Sequence, residues 1–159
     1  MITFFMEKFK MLNFRSYEDA DFEKLCNIHD QARKQELKFA NLEAAFIPFK
    51  IASKKEQLFE DYQVYVATKE NKVVGFVGFN EEELGWLYVD PKVQGQGIGS
   101  KLIDFTLENS TRLFYLEVLE GNPAQKLYLK KGFITIKHES GKMPGNESFS
   151  VEVDLMEYK

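Results

Sequence analysis

Residues Glu83 to Asn109 read ELGWLYVDPKVQGQGIGSKLIDFTLEN, and this stretch decides how the rest of the chain is read. It opens as a strand: Leu84, Trp86 and Tyr88 fall on one face and Leu87 and Val89 on the other, in the two-residue period of a pleated sheet. Asp90-Pro91 ends the strand, because proline has no N–H to give to a ladder. After Gln94-Gly95-Gln96-Gly97-Ile98-Gly99 comes a helical pattern, with Ile98, Leu102 and Phe105 at i, i+4 and i+7. A strand, a glycine-rich turn and a helix N-terminus together make an anion site. The first helical turn carries unpaired N–H groups and the positive end of the macrodipole. Glycines bring that backbone close to a ligand without a Cβ in the way. One or two glycines would only tighten a turn; three on alternate residues favour the anion site.

Two nucleotide motifs fail on spacing. A Walker loop needs Gly-Lys-Ser/Thr after a four-residue gap, and here Ser100 precedes Lys101. A dinucleotide fingerprint needs G-x-G-x-x-G early in a βαβ unit, and here the spacing is G-x-G-x-G.

Gln94-x-x-Gly97-x-Gly99, preceded by Leu87-Tyr88-Val89-Asp90-Pro91, resembles the coenzyme A pyrophosphate loop of the GNAT superfamily of acetyl-CoA-dependent N-acyltransferases. A second block follows in the family's order: Asn122-Pro123-Ala124, then Tyr128, then Gly132-Phe133. The resemblance runs from about Phe14 to Tyr158. It implies an α+β fold: a mixed, mostly antiparallel sheet of six or seven strands, a central parallel pair that splays apart, and about four helices. It also implies acetyl-CoA as co-substrate. Main-chain groups of Leu87, Tyr88 and Val89 would pair with pantetheine like an added strand, and one of their N–H groups would polarise the acyl carbonyl. Amides of Gly95, Gln96, Gly97, Ile98, Gly99 and Ser100 would hold the pyrophosphate, with Gln94 beside them. Asn122 would reach the pantetheine, with Ala124 and Lys126 near the cofactor. Tyr128 matches the tyrosine that protonates the leaving thiolate, and Glu83 lies where many relatives place the carboxylate that deprotonates the amine. Glu81, Glu82 and Glu117 are alternative bases, and His29 and His138 weaker ones.

The reaction this implies is acetyl transfer to a primary amine of a small molecule or peptide, by direct attack in a ternary complex. No cysteine or serine paired with a histidine base is evident, which argues against a covalent acyl-enzyme. Two other readings share the loop: a catalytically silent acyl-CoA-binding module, and an enzyme of this fold using another acyl donor.

The remaining chain fits one domain over residues 1–159. Met11 to Arg15 reads as a first strand, and Asp19 as the cap of a helix carrying Phe22, Leu25, Ile28, His29 and Ala32 inward as far as about Phe39. Asn41 to Ser53 is irregular yet apolar, either a loop packed on the core or, as the resemblance implies, a substrate wall, and Lys54 to Tyr62 reads as a short helix. Val64 to Thr68 and Val73 to Phe79 form a hairpin over Lys69-Glu70-Asn71-Lys72. Leu113 to Leu119 is a strand parallel to the central one, and Asn122 to Lys131 a helix with Pro123 in its first turn and Gly132 as its stop. Phe133 to His138 and Ser148 to Met156 make a last hairpin across a Gly141-to-Asn146 loop.

Composition excludes several classes. The net charge of −4, without a basic stripe, argues against a nucleic-acid surface. No apolar run reaches membrane-spanning length. Met1 to Leu12 is interrupted by Glu7, Lys8 and Lys10, so no signal peptide is expected and the cytoplasm is the expected compartment. One cysteine, Cys26, and two distant histidines supply no metal-ligand spacing. The resemblance allows a homodimer.

Overall fold

The computed structural model describes residues 11–110 and 114–159. The reading of Met1 to Lys10 and of Leu113 lies outside them. Within them are seven strands and five α-helices. β1 (Asn13–Ser16), β2 (Gln63–Lys69), β3 (Lys72–Phe79) and β4 (Leu84–Val89) form one antiparallel sheet in that order. β5 (Phe114–Leu119), β7 (Asn146–Tyr158) and β6 (Ile134–Met143) form a second, with β7 in its centre.

The two sheets meet at one point. Glu83 and Tyr115 make a parallel bridge, and the Tyr115 N–H donates to the Glu82 carbonyl at 2.9 Å. Among the described residues no other bridge joins β4 to β5. The edge of β4 turned away from β3 is therefore left without a strand partner from Leu84 onward.

Helices cover both faces. α1 (Phe22–Phe39), α2 (Phe49–Lys55) and α3 (Leu58–Asp61) bury Leu25, Ile28, Phe49 and Leu58 against Val66, Phe76 and Trp86. α4 (Ile98–Glu108) and α5 (Ala124–Lys130) cover the opposite face, where Ile98, Leu102, Ile103 and Tyr128 meet Val77, Phe114, Leu116 and Phe133. Each helix thus buries the apolar stripe its periodicity marks.

The β2–β3 hairpin turns through Glu70 (φ 53°) and Asn71 (φ 61°), both left-handed, the pairing that suits the right-handed twist of the flanking strands.

Four details differ from expectation. The Lys54-to-Tyr62 helix is two helices, because Gln57 turns left-handed (φ 53°) and breaks the run; α2 begins earlier, inside the stretch read as irregular. Five α-helices stand where about four were expected for that reason. The last hairpin has no long loop: β6 and β7 pair to Met143–Asn146 and turn on Pro144-Gly145, Gly145 supplying a φ of 76°. The first part of the segment read as a loop for its proline and two glycines, Gly141 to Met143, continues an exposed ladder, where Lys142 donates to Ser150 at 3.1 Å.

Leu84 is the fourth. It packs with Leu87 and Val89, on the face opposite Trp86 and Tyr88. Phe79 pairs with Leu84 while Gly78 pairs with Trp86, so Gly85 is an extra residue in β4, a β-bulge that flips everything before it.

Candidate active site

The strand-to-helix turn after β4 is built by its own side chains. Asp90 accepts from the Lys92 N–H at 3.0 Å and holds the short 3-10 turn Pro91–Val93. Gly95 (φ 81°) and Gly97 (φ 78°) are left-handed, a conformation that strains any side chain. A Cβ added at either would meet no protein atom within 4 Å, so the loop presents bare backbone to a cleft. Gly97 caps α4, and the Lys101 N–H is the first of the helix to find a main-chain acceptor, at Gly97 (3.1 Å). The N–H groups of Ile98, Gly99 and Ser100 donate to no acceptor among the described residues. Three unpaired donors at the positive end of an eleven-residue helix suit an anion such as a pyrophosphate.

Two contacts hold the loop from outside. Gln94 donates to the Gln35 side chain of α1 at 3.2 Å, and Lys69 donates to Gln96 at 2.8 Å.

The cleft in front of the loop measures about 1160 Å³ and runs along the unpartnered edge of β4, between β4 and β5. Leu87, Tyr88, Val89, Gln94, Gly95, Gly97, Ile98, Gly99, Ser100, Asn122, Ala124 and Tyr128 all line it. Gln96 and Lys126 do not: Gln96 is turned to Lys69, and Lys126 is exposed on α5. An exposed strand edge is suited to an extended ligand that adds itself as a strand.

Asn122 accepts from the Ala124 N–H at 2.9 Å, fixing the start of α5; its amide nitrogen donates to nothing among the described residues. α5 then delivers Tyr128, buried against Phe133, into the cleft wall. Burial, with the Glu36 carboxylate nearby, pushes the Tyr128 phenol above the usual tyrosine range. It therefore stays protonated at neutral pH and can act as a donor.

A second cavity of about 560 Å³ lies beside it at the start of β4. It shares Glu36, Leu84, Gly85, Trp86, Tyr88 and Glu117 with the first, so the two spaces adjoin along the bulged start of β4. Glu83 belongs to this second cavity alone. Asn80 places it, its side-chain oxygen accepting from the Glu82 and Glu83 N–H groups at 2.9 Å. The Tyr62 hydroxyl donates to Glu83. Tyr62 can reach it because residue 85 is glycine: a Cβ there would lie 2.6 Å from the Tyr62 ring.

The remaining walls come from distant segments. Arg33 pairs with Glu36 on α1, while Glu56 follows α2 and Glu117 sits on β5. The hairpin tip closes the far side with Met143, Gly145 and Glu147. Lys55 donates to the Gly145 carbonyl at 3.2 Å and Asn146 to the Ala45 carbonyl at 3.0 Å, tying the tip to the first half of the chain. Burial raises Glu36, Glu56 and Glu117, with Arg33 pulling the first two the other way; Glu56 reaches about 7. Five glutamates against Arg33 and Lys55 give a cavity that favours a cation.

Sequence reasoning does not single out Arg33, Glu36 and Glu56. No motif links them; the only local sign is the apolar run before Glu56, which is α2. Of the weaker base candidates, His29 lines the second cavity and His138 lines neither. His29 is buried against Phe49, Trp86 and Tyr88 and bonds Asp30 at 2.9 Å, and burial lowers its pKa. His138 lies on the exposed face of the second sheet, between Glu152 (2.9 Å) and Asp154 (2.8 Å). With Glu120 and Glu152 it makes the one metal-like grouping among the described residues, fully exposed and with both ring nitrogens already paired.

Residues 60–135 match the model of the acetyltransferase (GNAT) domain. The ribosomal protein bS18-alanine N-acetyltransferase of Haemophilus influenzae is 30% identical over 124 residues, 73% of this chain and 77% of that one. Among solved structures, a GCN5-related N-acetyltransferase from Rhodopseudomonas palustris superposes with a TM-score of 0.76 at 18% identity, over 92% of this chain and 94% of that chain. The PaiA N-acetyltransferase of Thermoplasma acidophilum, solved in complex with coenzyme A, superposes at 0.66 and 17% identity, over 94% and 99%. The chain belongs to the GNAT acetyltransferase family. No described helix is long and apolar enough to cross a membrane.

Proposed function

We propose that the protein transfers the acetyl group of acetyl-CoA to a primary amine, by direct attack with both substrates bound. The observation that carries this reading is the shared wall of the two spaces at the start of β4, one space ending in bare helix N–H groups and the other lined by carboxylates. An anionic, extended thioester fits the first and a cationic amine fits the second, so the reacting atoms meet beside Tyr88. Ile98, Gly99 and Ser100 hold the pyrophosphate, with the glycines giving it access. The open edge of β4 at Leu87 to Val89 aligns the pantetheine and supplies an N–H to the acyl carbonyl. Tyr128 gives its proton to the departing sulfur. Holding two substrates in this geometry can remove roughly 7–11 kcal/mol from the barrier at best.

The curated relative acts on an alanine of a ribosomal protein. We take a peptide with an N-terminal alanine as the first amine to try, ahead of polyamines, amino acids and lysine side chains. The deciding experiment is a thermal-shift titration with acetyl-CoA, CoA and ATP, followed by acetyl transfer to that amine panel. Saturating acetyl-CoA at 100 times its dissociation constant stabilises by about 2.7 kcal/mol, several degrees for a domain of this size. Equal shifts from CoA and acetyl-CoA, none from ATP, and turnover of at least one amine are expected. Binding without turnover of any amine would instead favour an acyl-CoA sensor.

A further inference from the structure

Of the five glutamates around the second cavity, three are already engaged. Glu36 pairs with Arg33, Glu83 accepts from the Tyr62 hydroxyl, and Glu147 accepts from the Gly145 N–H at 3.2 Å. Glu56 and Glu117 form no side-chain hydrogen bond or ion pair among the described residues. They differ in surroundings. Glu117 is exposed on β5, whereas Glu56 is only partly exposed, at the end of α2 against the cavity wall.

We propose that Glu56 takes the proton from the bound ammonium so that the amine can attack, a role that rests on the transferase reading above. A carboxylate for this task must face the acceptor space, be free to accept, and be desolvated enough to hold a proton near neutral pH. Glu56 meets the first two by position. For the third, burial raises it to about 7, with the Arg33 charge limiting the rise. The charged and titratable groups facing it are Arg33 and Glu36 of α1, Lys55 beside it, Tyr62, Glu83, Tyr88, Glu117, Glu147 and His29. Arg33 is the one that acts on it most after burial.

The step balances. One ammonium proton passes to the Glu56 carboxylate, directly or across one water. The freed nitrogen lone pair forms the C–N bond to the thioester carbonyl carbon, and the C–S bond breaks. The Tyr128 hydroxyl proton goes to sulfur. The second nitrogen proton, lost as the amide forms, returns to the Tyr128 oxygen through water in the cleft. Glu56 releases its proton to solvent, so each transfer yields one proton and nothing is oxidised or reduced.

The test compares wild type with Glu56→Gln, Glu83→Gln and Glu117→Gln, using acetyl-CoA and an N-terminal-alanine peptide between pH 5.5 and 9. Each variant is first checked for an unchanged acetyl-CoA thermal shift. In wild type, kcat/KM for the peptide should rise tenfold per pH unit below about 7 and flatten above, after correction for the peptide's own amine. Glu56→Gln should lose that limb and at least 10²-fold in rate, while Glu83→Gln and Glu117→Gln keep the limb. Carboxyl-labelled glutamate followed by NMR in the free protein should show one resonance titrating near pH 7, absent from Glu56→Gln. The proposal is overturned by a Glu56 resonance titrating below pH 5, by a Glu56→Gln profile that keeps the limb, or by loss of the limb in Glu117→Gln alone. Wild type that binds acetyl-CoA yet shows no such limb, or no acetylation of the peptide, also overturns it. Wild type that fails to bind acetyl-CoA overturns the transferase reading itself.

Discussion

The two cavities that adjoin at the start of β4 are made in opposite ways. The larger one is anchored on main chain: an open strand edge, two left-handed glycines and a helix N-terminus all lie within residues 84–100, with side chains of α1, β5 and α5 completing its walls. The smaller one is side chain: Arg33, Glu36, Glu56, Glu83, Glu117 and Met143, drawn from five separate elements or turns. Backbone recognition of a constant ligand needs consecutive residues of restricted type, so it leaves a motif. Side-chain recognition of a particular partner needs only convergence in space, and leaves none.

The most severe test of that contrast is Gly97→Asp. A side chain at φ 78° is strained by about 1 kcal/mol, yet its Cβ meets no protein atom within 4 Å. The variant should therefore fold with a slightly lower Tm and lose acetyl-CoA binding by more than about 10³-fold in calorimetry, since carboxylate and pyrophosphate repel. Retained binding would break the main-chain assignment.

Next is Tyr128→Phe, which should reduce kcat about 10²-fold while changing the Kd of acetyl-CoA by less than about twofold. Equal turnover across pH would remove Tyr128 from the reaction.

Gly85→Ala sharpens the comparison because it acts on the shared wall from the acceptor side. Its Cβ would displace the Tyr62 ring and with it the donor to Glu83. A loss of about 1–3 kcal/mol in urea unfolding is expected, with a raised acceptor KM and a nearly unchanged acetyl-CoA Kd.

The smallest effect concerns stability alone. Glu56 is raised from 4.5 to about 7 in the folded protein, so the folded state holds the proton more tightly than the unfolded one. Stability contributed by this group is full below about pH 4.5 and falls as pH rises towards 7. Glu56→Gln should consequently unfold at a higher temperature than wild type at pH 8, by about 1–3 kcal/mol, and converge with it near pH 4.5. A site residue whose removal stabilises the fold would mark the side-chain cavity as built for chemistry over stability.

This contrast also explains what could be read without coordinates. The β4–turn–α4 unit was legible because period, proline break and glycine spacing each have one cheap structural solution. The Lys69-to-Lys72 hairpin was legible for the same reason, with Asn71 in a position that tolerates positive φ. Gln57 carries no such mark, so the break between α2 and α3 was hidden, and with it the placing of Glu56. The bulge at Gly85 was invisible too: period two predicts Leu84 beside Trp86, and only the pairing to β3 reveals the extra residue. Gly141 to Asn146 read as a loop because of its proline and two glycines, yet only Pro144-Gly145 turns; an exposed strand needs no apolar alternation to run on to Met143.

The ties at the tip of the last hairpin bear on when this chain becomes competent during its synthesis. The Asn146–Ala45 and Lys55–Gly145 bonds join positions 101 and 90 residues apart, and β7 runs through the middle of its sheet to Tyr158. Sequence-local parts assemble before such distant closures are made. A nascent chain that has emerged through α5 already holds the whole donor loop, its strand and Tyr128. It lacks the far wall of the second cavity and the central strand beside β5. The order of residues along the chain thus delays closure of the second cavity until β7 has been made.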